Sequence, residues 1–265
     1  MYRRILVGYL DSTQGREALT LGTLLARASR AELVLATART ADGENLAQLA
    51  RFHKADLVVV GSSHRGSVGR VLPGATVEHL LGDAPCAVAV APPGFGRCED
   101  GDSGWRPLSG DVEDVGMRVI GVGYDGTQAS SDALKTAAEL AVPNGAALRV
   151  YTVARKYAHV PGASGDERGP GVPSEAEVLR AMLHEAVAEL PSEARALPVF
   201  LRGFAADELL KAADMGVDLL VLGSRNGGPV RRKIHHSVTS TVMQEAQCPV
   251  LISPTGVKAP TAALA

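Results

Sequence analysis

Apolar residues along this chain fall in short continuous runs, separated by stretches of helical period. Ile5-Leu6-Val7-Gly8-Tyr9 is the first run, the pattern of a strand buried on both faces of a parallel sheet. From Gln14 to Arg27 the period changes, with Ala18, Leu21, Leu24, Leu25 and Ala28 at helical spacing. Leu33 to Thr37 reads as a second strand, and Glu44 to Lys54 as a helix with Leu46, Leu49, Ala50 and His53 on one face. Leu57 to Val60 is the next strand. A glycine-bearing loop follows, then a short helix over about Thr76 to Leu81 and a strand from Cys86 to Ala91. Strand alternating with helix predicts a parallel sheet with right-handed crossovers.

The pattern is written twice. Asp56, Gly61, Ser62 and Cys86 return as Asp218, Gly223, Ser224 and Cys248, each 162 residues on. The start of the chain returns at a shorter spacing of 115 residues, which relates Tyr9 to Tyr124 and Leu19 to Leu134. The second copy therefore contains extra chain. Its first strand is Arg118 to Tyr124, and after a strand from Ala147 to Val153 come a Pro/Gly loop (Ala154 to Pro173), a helix (Ser174 to Leu190) and a strand (Leu197 to Leu201). Ser174 with Glu177 fits a capping box at the start of that helix. The fold class is α/β: two repeated open parallel-sheet units, the first lacking one helix and one strand. An edge strand is the one most readily lost without breaking a sheet. Pro92 to Gly116 is rich in Pro, Gly and acid and lacks periodicity, so it reads as a connection. The domains are expected at residues 1–95 and 117–255, with a linker over 96–116. Trp105 in that linker either docks on a domain or is simply exposed. Thr255 to Ala265 reads as a frayed tail.

Composition narrows the classes. Of the 265 residues, 46% are hydrophobic and only 4% aromatic, so the core must be built from Ala, Val and Leu. A net charge of −2 gives no electrostatic argument for nucleic acid or an anionic membrane. Three cysteines do not make a disulfide framework. Cys86 and Cys248 read as small core residues, and Cys98 as an accessible thiol in the linker. Ile5 to Leu10 is too short for a signal peptide, and no run reaches the length of a membrane span. The expected location is cytoplasmic.

The strand–Asp–Gly–Thr opening of Val119 to Thr127 pairs with a glycine loop that ends in Ser before a short helix and a C-P-V strand (Gly223 to Ile252). This combination resembles the universal stress proteins, here in tandem with a shortened first domain. The resemblance implies strand order 3-2-1-4-5 in a HUP, adenine-nucleotide-hydrolase-like fold, with strand 3 missing from the first copy. Chain direction then reverses between strands 1 and 4, and ligands bind at the carboxyl ends of strands at such a switch point. In the nucleotide-binding branch of the family the loop after strand 4 reads G-x2-G-x9-G-[ST]. The first copy keeps Gly61 and Gly74 but has His64 and Ala75 at the other positions. The second keeps Gly223 and Ser237 but has Asn226 and His236. The family's adenine-side Asp maps to Asp125 and to Leu10, and its apolar residue ending strand 2 to Val153 and Ala38.

The resemblance thus implies a degenerate site for ATP or another adenine nucleotide in the second copy. It is formed by Gly123, Tyr124, Asp125, Val153, Gly223, Ser224, Asn226, His236, Ser237 and Thr239, with no metal. His236 stands where the family has glycine, so binding is expected to be weak and pH-sensitive. The family also pairs strand 5 across a dimer interface. In a tandem chain Ala87 to Val90 and Pro249 to Ile252 can pair with each other as an intramolecular pseudo-dimer. A homodimer and an unassigned protein partner are both compatible with this.

Other readings start from other residues. Gly121 to Gly126 matches G-x-G-x-x-G, which would make the protein a dinucleotide-dependent oxidoreductase, with Arg155 suited to a 2′-phosphate. The first copy keeps only Gly8 of that pattern. Arg225, Arg231, Arg232 and Lys233 form a basic loop that either meets phosphates or an acidic partner, or is simply solvated. Without interleaved aromatics it is not a nucleic-acid surface. His64, His79, His235 and His236 lack metal-ligand spacing. No nucleophile elbow and no phosphate-binding G-x4-G-K-[ST] loop is present. The expectation is a non-enzymatic regulatory or scaffolding protein of the stress response, with a pure interaction module that binds no nucleotide as a further alternative.

Overall fold

The structure, a computed structural model, describes residues 1–37, 43–62, 77, 80–81, 84–96, 117–155, 173–224 and 238–255. The first half runs β1 (Arg4–Tyr9), α1 (Thr13–Ser29), β2 (Glu32–Thr37), α2 (Gly43–Phe52), β3 (Leu57–Gly61) and β4 (Ala87–Ala91). The second runs β5 (Val119–Gly123), α3 (Gln128–Asn144), β6 (Ala147–Ala154), α4 (Glu175–Ala188), β7 (Ala196–Arg202), α5 (Ala205–Asp214), β8 (Leu219–Ser224), α6 (Val238–Glu245) and β9 (Val250–Pro254).

The strands form one nine-stranded sheet in the order β2-β1-β3-β4-β9-β8-β5-β6-β7. Pairing is parallel within each half. β4 and β9 meet antiparallel, with Val88 opposite Ile252, Ala89 opposite Leu251 and Val90 opposite Val250. Read from the outside inwards, the second half is 3-2-1-4-5 and the first is 2-1-4-5. This is the order that the resemblance implies, with the two fifth strands paired. Both are buried along their whole length, so each covers an apolar edge that would otherwise promote association.

The spacings of the sequence repeat are the spacings of the elements. α1 and α3 are each 17 residues long and are capped by Ser12 and Thr127, which stand 115 residues apart. Each cap's hydroxyl accepts a hydrogen bond from the amide three residues on, Gly15 and Ser130. The capping box at Ser174 and Glu177 is present with both of its bonds. One element goes beyond the sequence reading: α5 stands 162 residues after α2, residue for residue.

A hydrophobic cluster covers each face of the sheet and draws on both halves. One contains Ile5, Leu21, Leu57, Ile120, Leu140 and Leu183; the other contains Leu6, Leu46, Val58, Leu209, Leu220 and Met243. Cys86 and Cys248 are buried in the second cluster. Val77, Leu80 and Leu81 are helical, as expected for the short helix before β4. Phe95 is buried and the Gly94 amide donates to Glu17 Oε1 at 2.7 Å, so both residues pack with the first half. One boundary needs correction. Thr255 is not frayed, because its amide and hydroxyl both donate to the Ser224 carbonyl, at 3.0 and 2.9 Å. Trp105, Cys98 and the loop 156–172 lie outside the described residues. Among the described residues, no helix is long and apolar enough to cross a membrane.

Candidate functional site

Because α3 carries the chain from β5 to β6 and the return connection brings it to β8 on the other side, β5 lies between two strands reached in opposite directions. Such a reversal, at the carboxyl ends of β5 and β8, is where open α/β sheets bind ligands. Gly123, Tyr124, Asp125, Val153, Gly223, Ser224 and Thr239 all lie at this end of the sheet. Asn226, His236 and Ser237 lie outside the described residues, as do the basic loop and His64, His79, His235 and His236.

The turn after β5 is held at each residue. The Tyr124 amide donates to the Tyr151 carbonyl at 2.8 Å, and Thr152 Oγ1 donates to the Tyr124 carbonyl at 2.8 Å. The Asp125 amide donates to Ser130 Oγ at 3.3 Å. Asp125 Oδ1 accepts from the Thr127 hydroxyl at 2.6 Å and from its amide at 3.1 Å. Gly126 sits at φ +78°, and a Cβ there would fall 2.2 Å from the Met182 sulfur of α4. Asp125 is thus an exposed carboxylate on a hydrogen-bonded turn just after the carboxyl end of β5. Val153 is a half-buried apolar residue near the end of the adjacent strand. Ser130, Thr152 and Met182 were not singled out from the sequence. The Ser three residues after Thr127 is the one local signal that would have found a member of this set.

At the end of β8 the backbone itself makes the contact. A Cβ on Gly223 would lie 2.3 Å from the Ala129 carbonyl oxygen, at the start of α3. The same holds in the first half, where a Cβ on Gly61 would lie 2.2 Å from the Gln14 carbonyl oxygen. The opening glycine of the motif therefore lets a strand end against the first turn of the neighbouring helix. Thr239 Oγ1 donates to the Gly223 carbonyl at 3.3 Å, which ties the start of α6 to the same point.

The first half builds its turn differently. Leu10 stands where Asp125 does, is 42% exposed, and closes the turn through its carbonyl, which accepts from the Ser12 amide at 2.8 Å. That carbonyl lies so close to α1 that a Cβ on Gly15 would come within 1.8 Å of it. In the second half the equivalent residue is Ser130, whose hydroxyl props the Asp125 amide. The G-x-G-x-x-G stretch also has a packing account. A Cβ on Gly121 would crowd Tyr151, Val217 and Leu220 at 3.0 to 3.2 Å, and one on Gly123 would meet Leu222 at 2.8 Å. Among the described residues, no group of three His, Cys, Asp or Glu side chains is arranged to hold a metal.

The family model described as "Universal stress protein family" matches residues 37–92 and 116–254. Universal stress proteins of Mycobacterium tuberculosis (strain H37Rv) and Mycobacterium bovis are each 28% identical over 253 residues, which cover 87% of this chain and 80% of theirs. A solved putative universal stress protein from Pseudomonas aeruginosa aligns over 96% of this chain and 93% of its own, with a TM-score of 0.65 at 14% identity. One from Archaeoglobus fulgidus aligns over 96% and 87%, with a TM-score of 0.54 at 15% identity. The structure extends the repeat beyond the matched segments, since β1, α1 and most of β2 precede residue 37. The chain belongs to the universal stress protein family.

Proposed function

We propose that this protein is a non-enzymatic regulatory or scaffolding member of the stress response, with domains at residues 1–95 and 117–255, and that the second domain binds ATP or another adenine nucleotide at the carboxyl ends of β5 and β8. The observation that carries this reading is the difference between the two turns after the first strand. In the second half Asp125 projects from a turn propped by Ser130 and Thr127. In the first half the backbone of Leu10 lies directly against Gly15, and the residue is 42% exposed. An adenosine can donate hydrogen bonds to a carboxylate and stack its base on an apolar wall such as Val153, and at the position of Asp125 the first half has Leu10, which has no carboxylate to accept them. The residues present suit a ribose and base better than they suit a metal or a reacting group, which favours a signal-sensing role over catalysis.

The test is calorimetric titration of ATP into the wild type, Asp125→Asn and Leu10→Asp. Asparagine keeps the oxygen that caps Thr127 but loses the charge, so the turn survives and the ligand contact weakens. A charge-assisted hydrogen bond contributes roughly 1.5–3 kcal/mol, so Asp125→Asn should bind at least about tenfold more weakly, with Leu10→Asp unchanged. ATP binding that is indifferent to Asp125→Asn would overturn the site. Absence of adenine-nucleotide binding would favour a pure interaction module.

A further inference from the structure

The two outer edges of the sheet are built differently. In the second half β6 is followed by β7, and α4 packs across both. Leu148 and Val150 of β6 are both fully buried there. Among the described residues the first half has no counterpart of this helix and strand, so β2 is the last strand on its side. Leu35, the counterpart of Val150, is 48% exposed.

The hydrogen-bond pattern says which backbone groups this leaves open. The Glu32 amide donates to the Arg3 carbonyl at 2.8 Å. In a parallel ladder alternate residues bond to one neighbour, so Glu32, Val34 and Ala36 face β1, and Leu33 and Leu35 present their N–H and C=O outwards. At the far edge the Gly203 amide donates to the Ala154 carbonyl at 3.0 Å. The same alternation points residue 198 of β7 outwards, and residue 198 is Pro. A proline at such a position removes a donor from the open edge without weakening the ladder, a common protection of edge strands. β2, Glu-Leu-Val-Leu-Ala-Thr, has no proline and no lysine.

We infer that β2 is a self-association edge, and that its partner is β2 of a second copy, antiparallel across a two-fold axis through Leu35. A closed dimer of identical chains requires such a self-complementary pairing. The outward residues permit it. With Leu35 opposite Leu35, the two exchange both backbone hydrogen bonds, as one register of an antiparallel pair requires. Leu33 then faces Thr37, and Val34 faces Ala36. Glu32, the one charge in the strand, falls beyond the end of the partner strand, and its carboxylate is already held by Arg4 at 2.7 Å. No like charges are opposed, and the two exposed leucines cover each other on the face that α4 covers in the second half. The sheet would then run through both chains.

Sedimentation equilibrium on the full chain from about 1 to about 200 μM, with amide hydrogen exchange at both ends of that range, tests this. The wild type should shift from one to two chain masses, and the Leu33 and Leu35 amides should exchange at least about tenfold more slowly in the dimer. Leu35→Pro, which copies Pro198 and spares the β1 ladder, should remain monomeric with an unchanged circular dichroism spectrum. The wild-type exchange measurement decides the matter if that variant misfolds. A wild type that stays monomeric throughout would overturn the inference. So would a dimer that leaves the two amides unprotected or persists in Leu35→Pro.

Discussion

The Asp218 carboxylate accepts the backbone amide of Arg118 at 2.7 Å, so the residue before β8 holds the start of the neighbouring strand. The Val119 amide donates to the same carboxylate at 2.8 Å. Asp56 does the same in the first half, accepting the Arg3 and Arg4 amides at 2.8 and 3.0 Å. A carboxylate that takes two backbone donors sets the register of two strands that are distant in sequence. Removing it leaves both amides without that acceptor, which costs roughly 1.5–3 kcal/mol for hydrogen bonds to a charged group. Asp56→Ala and Asp218→Ala should each lower stability by about this amount. Urea unfolding of each variant, monitored by circular dichroism, checks this.

The helices of the first half end less comfortably than those of the second. Arg30 follows α1 at φ +54°, and Lys54 follows α2 at φ +51°. Their counterparts Gly145 and Gly216 adopt φ +62° and +84°. A left-handed residue with a Cβ is strained by roughly 1–2 kcal/mol, partly offset by the extra chain entropy of glycine when unfolded. Arg30→Gly and Lys54→Gly should each stabilise by about 0.5–1 kcal/mol. Gly145→Ala should destabilise by about 1 kcal/mol, with no steric contribution, since a Cβ there meets nothing within 4 Å. Thermal unfolding of the three variants separates these expectations.

Gly61 and Gly223 should tolerate no side chain. The atom each Cβ would strike is a backbone carbonyl, which cannot swing aside as a flexible side chain can. Forcing a core apart in this way costs roughly 1–3 kcal/mol, so Gly61→Ala and Gly223→Ala should both unfold at lower denaturant, whether or not a nucleotide is present. An unchanged midpoint would show that the helix yields.

Burial pushes the Cys86 and Cys248 thiols up to about 12 from an ordinary value of 9.0. The unfolded chain releases these protons first, so the stabilising contribution is complete below pH 9 and falls as pH rises towards 12. Each thiol contributes a slope of about 1.4 kcal/mol per pH unit in that window. A Cys86→Ala/Cys248→Ala variant should therefore lose less stability than the wild type between pH 9 and 10.5, as denaturant midpoints at several pH values will show. In the native protein both thiols should resist labelling at pH 8.

Most of the sheet could be read in the sequence because its signals are local and duplicated. Runs such as Leu57 to Val60 and Leu219 to Leu222 bury on both faces, and a constant spacing of Asp, Gly and Cys marked the repeat, while the strand order was what the family resemblance implied. α5 was passed over, although the 162-residue spacing that relates Gly61 to Gly223 also carries α2 onto it. The candidate site was legible only in part. Sequence named Asp125 and Gly223, but their contacts depend on which backbone approaches which. A phosphate-binding motif and a tight strand–helix junction ask for the same glycine, and one chain alone cannot tell them apart. The close approach of the Leu10 backbone to Gly15 is likewise invisible without coordinates, since neither residue is unusual by itself.

The antiparallel meeting of β4 and β9 has a consequence in mass action. Two separate chains joined through such strands come apart on dilution, whereas here the joint is intramolecular and its effective concentration is set by the connection. One four-stranded and one five-stranded unit are thus held in fixed stoichiometry at any expression level. Because the joint reverses direction, the carboxyl ends of the two sets of strands open on opposite rims of the sheet. A ligand at the carboxyl ends of one set of strands therefore lies at the opposite rim from the carboxyl ends of the other.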